Sequence, residues 1–436
     1  MRSALCCLLL LASPLAAQRP VADLVAEFNR LAARPLWPGF TPALTPIAIY
    51  DGQRTWLIRH PAPPTEFAPS TVLPGAFTMP GQQADVRANT HTMLAGVPTA
   101  TLLWPDHPVS LTRLAAVLIH ESFHVFQSRA HPGWFGNEGT LFTYPVTDSI
   151  AQLLQRLETE AFRRALLPPG PSACWTSRAT ALRAMRARQV GADAMAYERG
   201  NDLNEGLAKY VEWRASDAPP DSLIPAAGFP PDGVRLRAYA VGPAQAVLLD
   251  HFRPDWITTL EQDTTLTLDA MLAQAVAPIS CRADFTAHET DSIASLAGHE
   301  AAGILSARAE LRRNFVARPG WQLVIELPVA TPLWPEQFDP LNLTPLANGE
   351  VLHQRHLRLS GDHGHLEVLD QWALTVPAGA HPLFNGIRKV VIAGLATRPD
   401  ITARGDSMTV RAPGIDATLT GMVVTETGQQ VTVRTR

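Results

Sequence analysis

His120-Glu121-Ser122-Phe123-His124 reads H-E-x-x-H inside the run 111–130. Leu114, Leu118, Val125 and Phe126 surround it at helical spacing. Ser110 is a good N-cap and His131-Pro132-Gly133 a stop, so the pattern predicts a helix. Residues four apart on a helix share a face, so His120 and His124 can point two imidazoles at one metal ion. Glu121 stands beside them, where its carboxylate can take a proton from a water on that ion. The stretch therefore calls for a third ligand, a cleft and a compartment.

Composition bounds those three. The chain has 436 residues, 46% apolar and 17% charged, which suits two or three globular domains with ample core material. Arg2, the apolar run 4–12 and the small residues Ser13 to Ala17 read as a secretory leader, with cleavage expected near Ala17. Export to a periplasmic or extracellular space follows as an expectation. Cys6 and Cys7 lie inside the apolar run, which does not fit a lipid-modified cysteine. No later run approaches the roughly 20 apolar residues of a membrane span. The remaining cysteines, Cys174 and Cys281, suggest one disulfide across a long loop, the alternative being two buried thiols. Net charge is −4 with no Lys/Arg run, so there is no electrostatic footprint for nucleic acid. Two lysines against many arginines suit a GC-rich bacterial genome.

Working outward from the motif, residues 18–34 carry a helical period. Residues 35–110 are rich in Pro, Gly and Thr, with strand-like runs at 47–50 and 99–104. Helices are expected at 148–167, 176–190, 193–215, 236–251, 266–275 and 289–314. From Pro319 the pattern changes to short apolar runs between Gly, Pro and Asp turns. No internal repeat or low-complexity segment is present. The expected fold is α+β. It has a leader (1–17), a strand-rich N-terminal part (18–110), a mostly helical metal-binding region (111–315) and an all-β, sandwich-like C-terminal module (319–436).

A catalytic zinc takes three protein ligands and leaves one position for water. The continuation H-E-x-x-H-x-x-G-x-x-H of metzincins is absent, because Gln127 and Ala130 stand at its last two fixed positions. The segment Asn204-Glu205-Gly206-Leu207-Ala208-Lys209-Tyr210-Val211-Glu212 resembles the N-E-G-F-A-x-Y-x-E helix of the large zinc aminopeptidases and the N-E-A helix of thermolysin-like enzymes. The resemblance implies a zincin-like fold and a gluzincin site, with one zinc on His120, His124 and Glu205 and Glu121 as general base. It covers two helices only. The gap between His124 and Glu205 is much longer than in those families, which implies an inserted helical pair at about 148–190. No Gly-x-Met-Glu-Asn-type substrate motif precedes the zinc helix, so aminopeptidase activity is not implied. Rival third ligands are Glu158 and Glu160, in a segment that resembles the E-x-E-A-D helix of prenyl-protein endopeptidases except for Phe162, and Glu138 in a loop.

Around this centre, Glu198 or Asp202 is a candidate to hold a zinc histidine, or else a salt-bridge partner for Arg199. Tyr239 is the candidate oxyanion stabiliser, as in gluzincins that use a downstream Tyr or His. Tyr210 is expected to pack, and His251 is an outside candidate. Strand 99–104 is a candidate to hold an extended substrate by β-addition. The expected activity is that of an exported zinc metallopeptidase, in which a zinc-bound water attacks a peptide bond. The alternatives are an inactive zincin-scaffold binding protein and a zinc hydrolase of another amide or ester. His353, His356, His363 and His365 form a second histidine group, either a metal site or a polar surface hairpin.

Overall fold

The computed structural model describes residues 15–169, 171–339 and 342–436, and the expected leader lies, up to residue 14, outside them. Helices and sheets both contribute, so the fold is α+β. The chain divides into two compact units. Unit 1 runs to Asn137 and resumes over Leu154–Ala287; unit 2 comprises Glu138–Leu153 and His288–Arg436.

Unit 1 opens with α1 (Leu15–Ala32), whose Val21, Leu24, Phe28 and Leu31 are fully buried along one stripe. Then come β1 (Ile47–Tyr50), β2 (Arg54–Ile58), β3 (Ala68–Pro69), β4 (Ala76–Pro80), β5 (Thr90–Leu94) and β6 (Val97–Leu103), in one sheet of order β3-β4-β2-β1-β6-β5. Asp51 turns the first hairpin, its carboxylate accepting from the Gln53 and Arg54 amides and from Trp56 Nε1. Ala95-Gly96, both at positive φ (45° and 78°), make the two-residue turn between β5 and β6. Such turns match the right-handed twist of paired strands. β6 pairs with β1 in parallel and with β5 in antiparallel fashion, so the strand expected to receive a substrate is interior. The edge strands of this sheet are β3 and β5.

α2 (Leu111–Ala130) carries the motif. Ser110 Oγ accepts from the Arg113 amide at its start, as its sequence predicts. Phe123, inside the motif, is fully buried with its ring edge-on to Trp37 (5.4 Å) and Phe40 (5.1 Å). Burying such a ring stabilises by about 1.5–3 kcal/mol and fixes which face of α2 turns inward. The helical part follows as α3 (Ser149–Ala165), α4 (Ala173–Val190), α5 (Ala192–Asn201), α6 (Leu207–Ser216), α7 (Val234–Phe252), α8 (Trp256–Gln262) and α9 (Leu268–Val276). The single helix expected at 193–215 is interrupted by a π-turn at Asp202–Gly206, and α8 was not anticipated. Cys174 and Cys281 form a disulfide with Cα atoms 5.2 Å apart. Among the described residues, no helix is long and apolar enough to cross a membrane.

In unit 2, α10 (Ala287–Val316) precedes strands between Trp321 and Thr435, arranged as a seven-stranded and a six-stranded open sheet. Alternate residues of both sheets, among them Leu323, Ile325, Leu359, Leu366, Val410 and Val433, share one buried apolar cluster. Phe315 of α10 packs in a second cluster with Val324, Leu352 and Val391. Phe142, from the early piece of this unit, sets its ring against Phe338, Phe384 and His381.

Candidate metal centre

Three buried side chains of unit 1 converge. His120 Nε2 and His124 Nε2 lie 3.1 Å apart, and Glu205 Oε2 lies 3.7 Å and 3.3 Å from them. Each residue is at most 7% exposed. Glu205 Oε2 has no hydrogen-bond partner among the described residues. A buried, unsatisfied carboxylate oxygen facing two imidazole nitrogens is costly, and it is the donor set that a metal ion satisfies. This group can hold a metal ion, and it is the one such His/Cys/Asp/Glu group found among the described residues.

The local backbone explains how Glu205 arrives. A π-turn holds one extra residue per turn and recurs at functional sites. Here the π-turn and α7 approach so closely that a Cβ on Gly242 would stand 2.5 Å from Gly206 Cα. Glycine at both positions permits that approach, and Gly206 directly follows Glu205.

The outer nitrogens of both histidines face further residues. Gln127 Oε1 lies 2.8 Å from His124 Nδ1, and Gln127 Nε2 donates to the Leu203 and Asn204 carbonyls (2.9 and 3.0 Å). One side chain thereby ties α2 to the π-turn. Glu212 Oε2 lies 3.2 Å from His120 Nδ1. Outer partners of this kind orient ligand rings and raise their basicity. Burial penalises a charged His120, but the Glu205 and Glu212 carboxylates outweigh it and lift its pKa to about 9. Burial likewise opposes ionisation of Glu205, yet His120, His124 and Tyr239 hold its carboxyl far below the usual range.

A cavity of about 170 Å³ opens on the group, walled also by Glu121, Tyr239, Asn89, Thr90, His91, Asn204 and Arg235. Burial lifts the Glu121 carboxyl above its ordinary value, an effect its histidine neighbours only partly offset. Tyr239 stacks on His120 with ring centres 5.8 Å apart. Burial and then the Glu205 charge push its phenol well up, so it stays protonated and able to donate. His91, from the edge strand β5, stacks on His124 at 5.9 Å. Arg235 donates to Glu205 Oε1 at 2.8 Å.

Other candidates lie elsewhere. Glu158 is fully buried against Arg183, Arg186 and Arg237 (2.6–3.1 Å), and Glu160 pairs with Arg163 and Arg164. Glu138 opens a 3-10 turn in unit 2. Glu198 and Asp202 join the same arginines: Glu198 pairs with Arg186 and Arg237, and Asp202 accepts from Arg183 and from Gln245. Arg199 pairs with Asp269 instead. Tyr210 is buried and donates to Asp250, and His251 stacks edge-on against Phe252. The second histidine group is dispersed. His353 is buried beside Thr375, His356 faces Glu367, and His363 lies in the hairpin turn near Thr331.

Comparison with known protein families, curated proteins and solved structures finds no match. Gln127, Glu212, His91 and Arg235 were not singled out from sequence. Gln127 and Glu212 carried a usable signal, standing three residues after His124 and two helical turns after Glu205.

Proposed function

We propose that this chain is an exported, zinc-dependent peptidase of gluzincin type. The observation that carries the proposal is the convergence of His120, His124 and the unsatisfied Glu205 Oε2. Their separations of 3.1, 3.3 and 3.7 Å suit a tetrahedral ion with bonds of about 2.0–2.2 Å, whose ligands stand roughly 3.3 Å apart. A zincin-like relationship is supported by the pairing of the H-E-x-x-H helix with the Asn-Glu-Gly helix. Export is supported by the leader-like N-terminus and by the Cys174–Cys281 disulfide, which belongs to oxidising compartments.

Bound zinc would act as a Lewis acid and lower the pKa of a coordinated water to about 7. The chain's own residues supply the rest. Glu121, buried in the cavity wall with a raised pKa, is suited to take a proton from the attacking water and deliver it to the leaving amine. Tyr239 is suited to donate a hydrogen bond to the developing oxyanion. Glu212 and Gln127 orient the histidine rings.

The test is metal analysis with activity. Wild type should hold one zinc, and both His120→Ala and Glu205→Ala should lose it. Glu121→Gln should keep zinc and lose cleavage of a peptide library. A Glu205→Ala protein with full zinc would sink the ligand assignment, and an active Glu121→Gln would sink the mechanism.

A further inference from the structure

Arg235 has no place in the chemistry above, yet it is the one guanidinium or ammonium group in the cavity wall among the described residues. It sits in the first turn of α7, four residues before Tyr239, so both side chains leave the helix on one face. Its guanidinium reaches Glu205 Oε1 while its side chain remains half exposed, at 50%. A cation at the cavity mouth thus stands one carboxylate width from the ligand cluster. Apart from the metal position itself, Arg235 is the place in this wall where an anion is attracted, since Glu121 and Glu205 are carboxyl groups. A planar guanidinium is the side chain best matched to carboxylate geometry.

The rest of the wall limits what enters. Among the described residues no aliphatic side chain lines the cavity, and its volume of about 170 Å³ is small for a ligand pocket. A large apolar side chain has no surface to bury there. A small polar group with a negative charge fits. Because the cation and the cluster are neighbours, the anion and the reacting carbonyl belong to the same small residue or to adjacent ones.

We infer that Arg235 docks a free carboxylate next to the scissile bond, so that the substrates are short peptides or acyl-amino acids cut at their C-terminal residue. This inference rests on the metal-site reading given above.

The experiment compares 4-oxopentanoate with 4-oxopentanamide, uncleavable ketone analogues of an acyl-glycine that differ in the carboxylate alone. Binding to the zinc-loaded full chain is followed by calorimetry, with zinc content measured on the same samples. Wild type should bind the acid at least tenfold tighter than the amide, as a charge-assisted hydrogen bond allows. Arg235→Gln should lose that preference while keeping one zinc, and Arg235→Lys should recover part of it. Zinc-loaded Arg235→Gln that keeps the full preference places the carboxylate on the metal and overturns the inference. Equal binding of acid and amide by wild type overturns it too, with the metal site intact. A wild type that takes up no zinc overturns the metal-site reading and this inference with it.

Discussion

Replacing Gly242 by alanine tests whether the contact between the π-turn and α7 sets the position of Glu205. The added Cβ would lie 2.5 Å from Gly206 Cα and 3.1 Å from the Asp202 carbonyl oxygen, all backbone atoms. Ordinary contact needs about 3.5 Å or more, so the π-turn must retreat by roughly 1 Å. Overpacking of this kind costs about 1–3 kcal/mol. The better helix propensity of alanine returns about 1 kcal/mol, leaving a net loss of about 0–2 kcal/mol. Metal affinity should suffer more, because ligand distances tolerate about 0.2 Å. A zinc competition titration against a chromogenic chelator should show at least a tenfold loss. Gly298→Ala in α10 is the control: its Cβ would meet nothing within 4 Å, so it should leave affinity unchanged and stability equal or slightly higher. Gly242→Ala protein that binds zinc within twofold of wild type would refute the reasoning.

Three further outcomes are expected. Gln127→Ala should fold and lose about 10- to 100-fold in zinc affinity, since it both orients His124 and clamps the π-turn; an unchanged affinity in the same titration would contradict that role. Arg186→Met should destabilise by about 3–5 kcal/mol in urea unfolding, because it deprives the fully buried Glu158 and the buried Glu198 of a shared partner; a loss under 1 kcal/mol would show that the network rearranges freely. Burial lowers the His353 pKa from 6.5 to about 4, and its Nδ1 has no hydrogen-bond partner among the described residues. The folded state therefore favours neutral imidazole. Stability is full above pH 6.5 and falls as pH drops toward 4, by about 2 kcal/mol at pH 5 and about 3 kcal/mol in all. His353→Gln should remove that part of the acid sensitivity in urea midpoints measured from pH 7 to pH 5; an unaltered slope would exclude His353 as its source.

The three residues of the candidate metal group were legible because their signals are local. His120 and His124 share a helix face by spacing alone, and Glu205 sits in a short motif on one helix. The polar surroundings were less so. Read as one regular helix, Glu198 and Asp202 lie two turns and one turn before Glu205, on nearly its own face, and look like its helpers. The π-turn inserts a residue between them, so the two acids turn toward the arginines while Glu212, beyond the turn, keeps phase with the site. Nothing in the composition of 192–216 announces that insertion. It coincides with the close approach of Gly206 and Gly242, a contact between segments distant in sequence. The same limit hid His91 and Arg235, which reach the cavity through strand pairing and helix crossing. The six-stranded sheet order likewise put β5, rather than 99–104, at the edge.

The excursion at Glu138–Leu153 bears on how the chain can be cut and in what order it can assemble. Unit 2 is discontinuous: one small piece leaves the ribosome before α4 to α9, and the remainder comes last. Its early piece supplies the Phe142 ring against Phe338 and Phe384, and the Gly139 carbonyl that accepts from His381. A fragment starting at residue 288 would expose those aromatics without their cover, so the β unit is not an excisable module. During synthesis, unit 1 can complete its helices while the Phe142 segment waits, tethered at both ends, for strands made more than a hundred residues later.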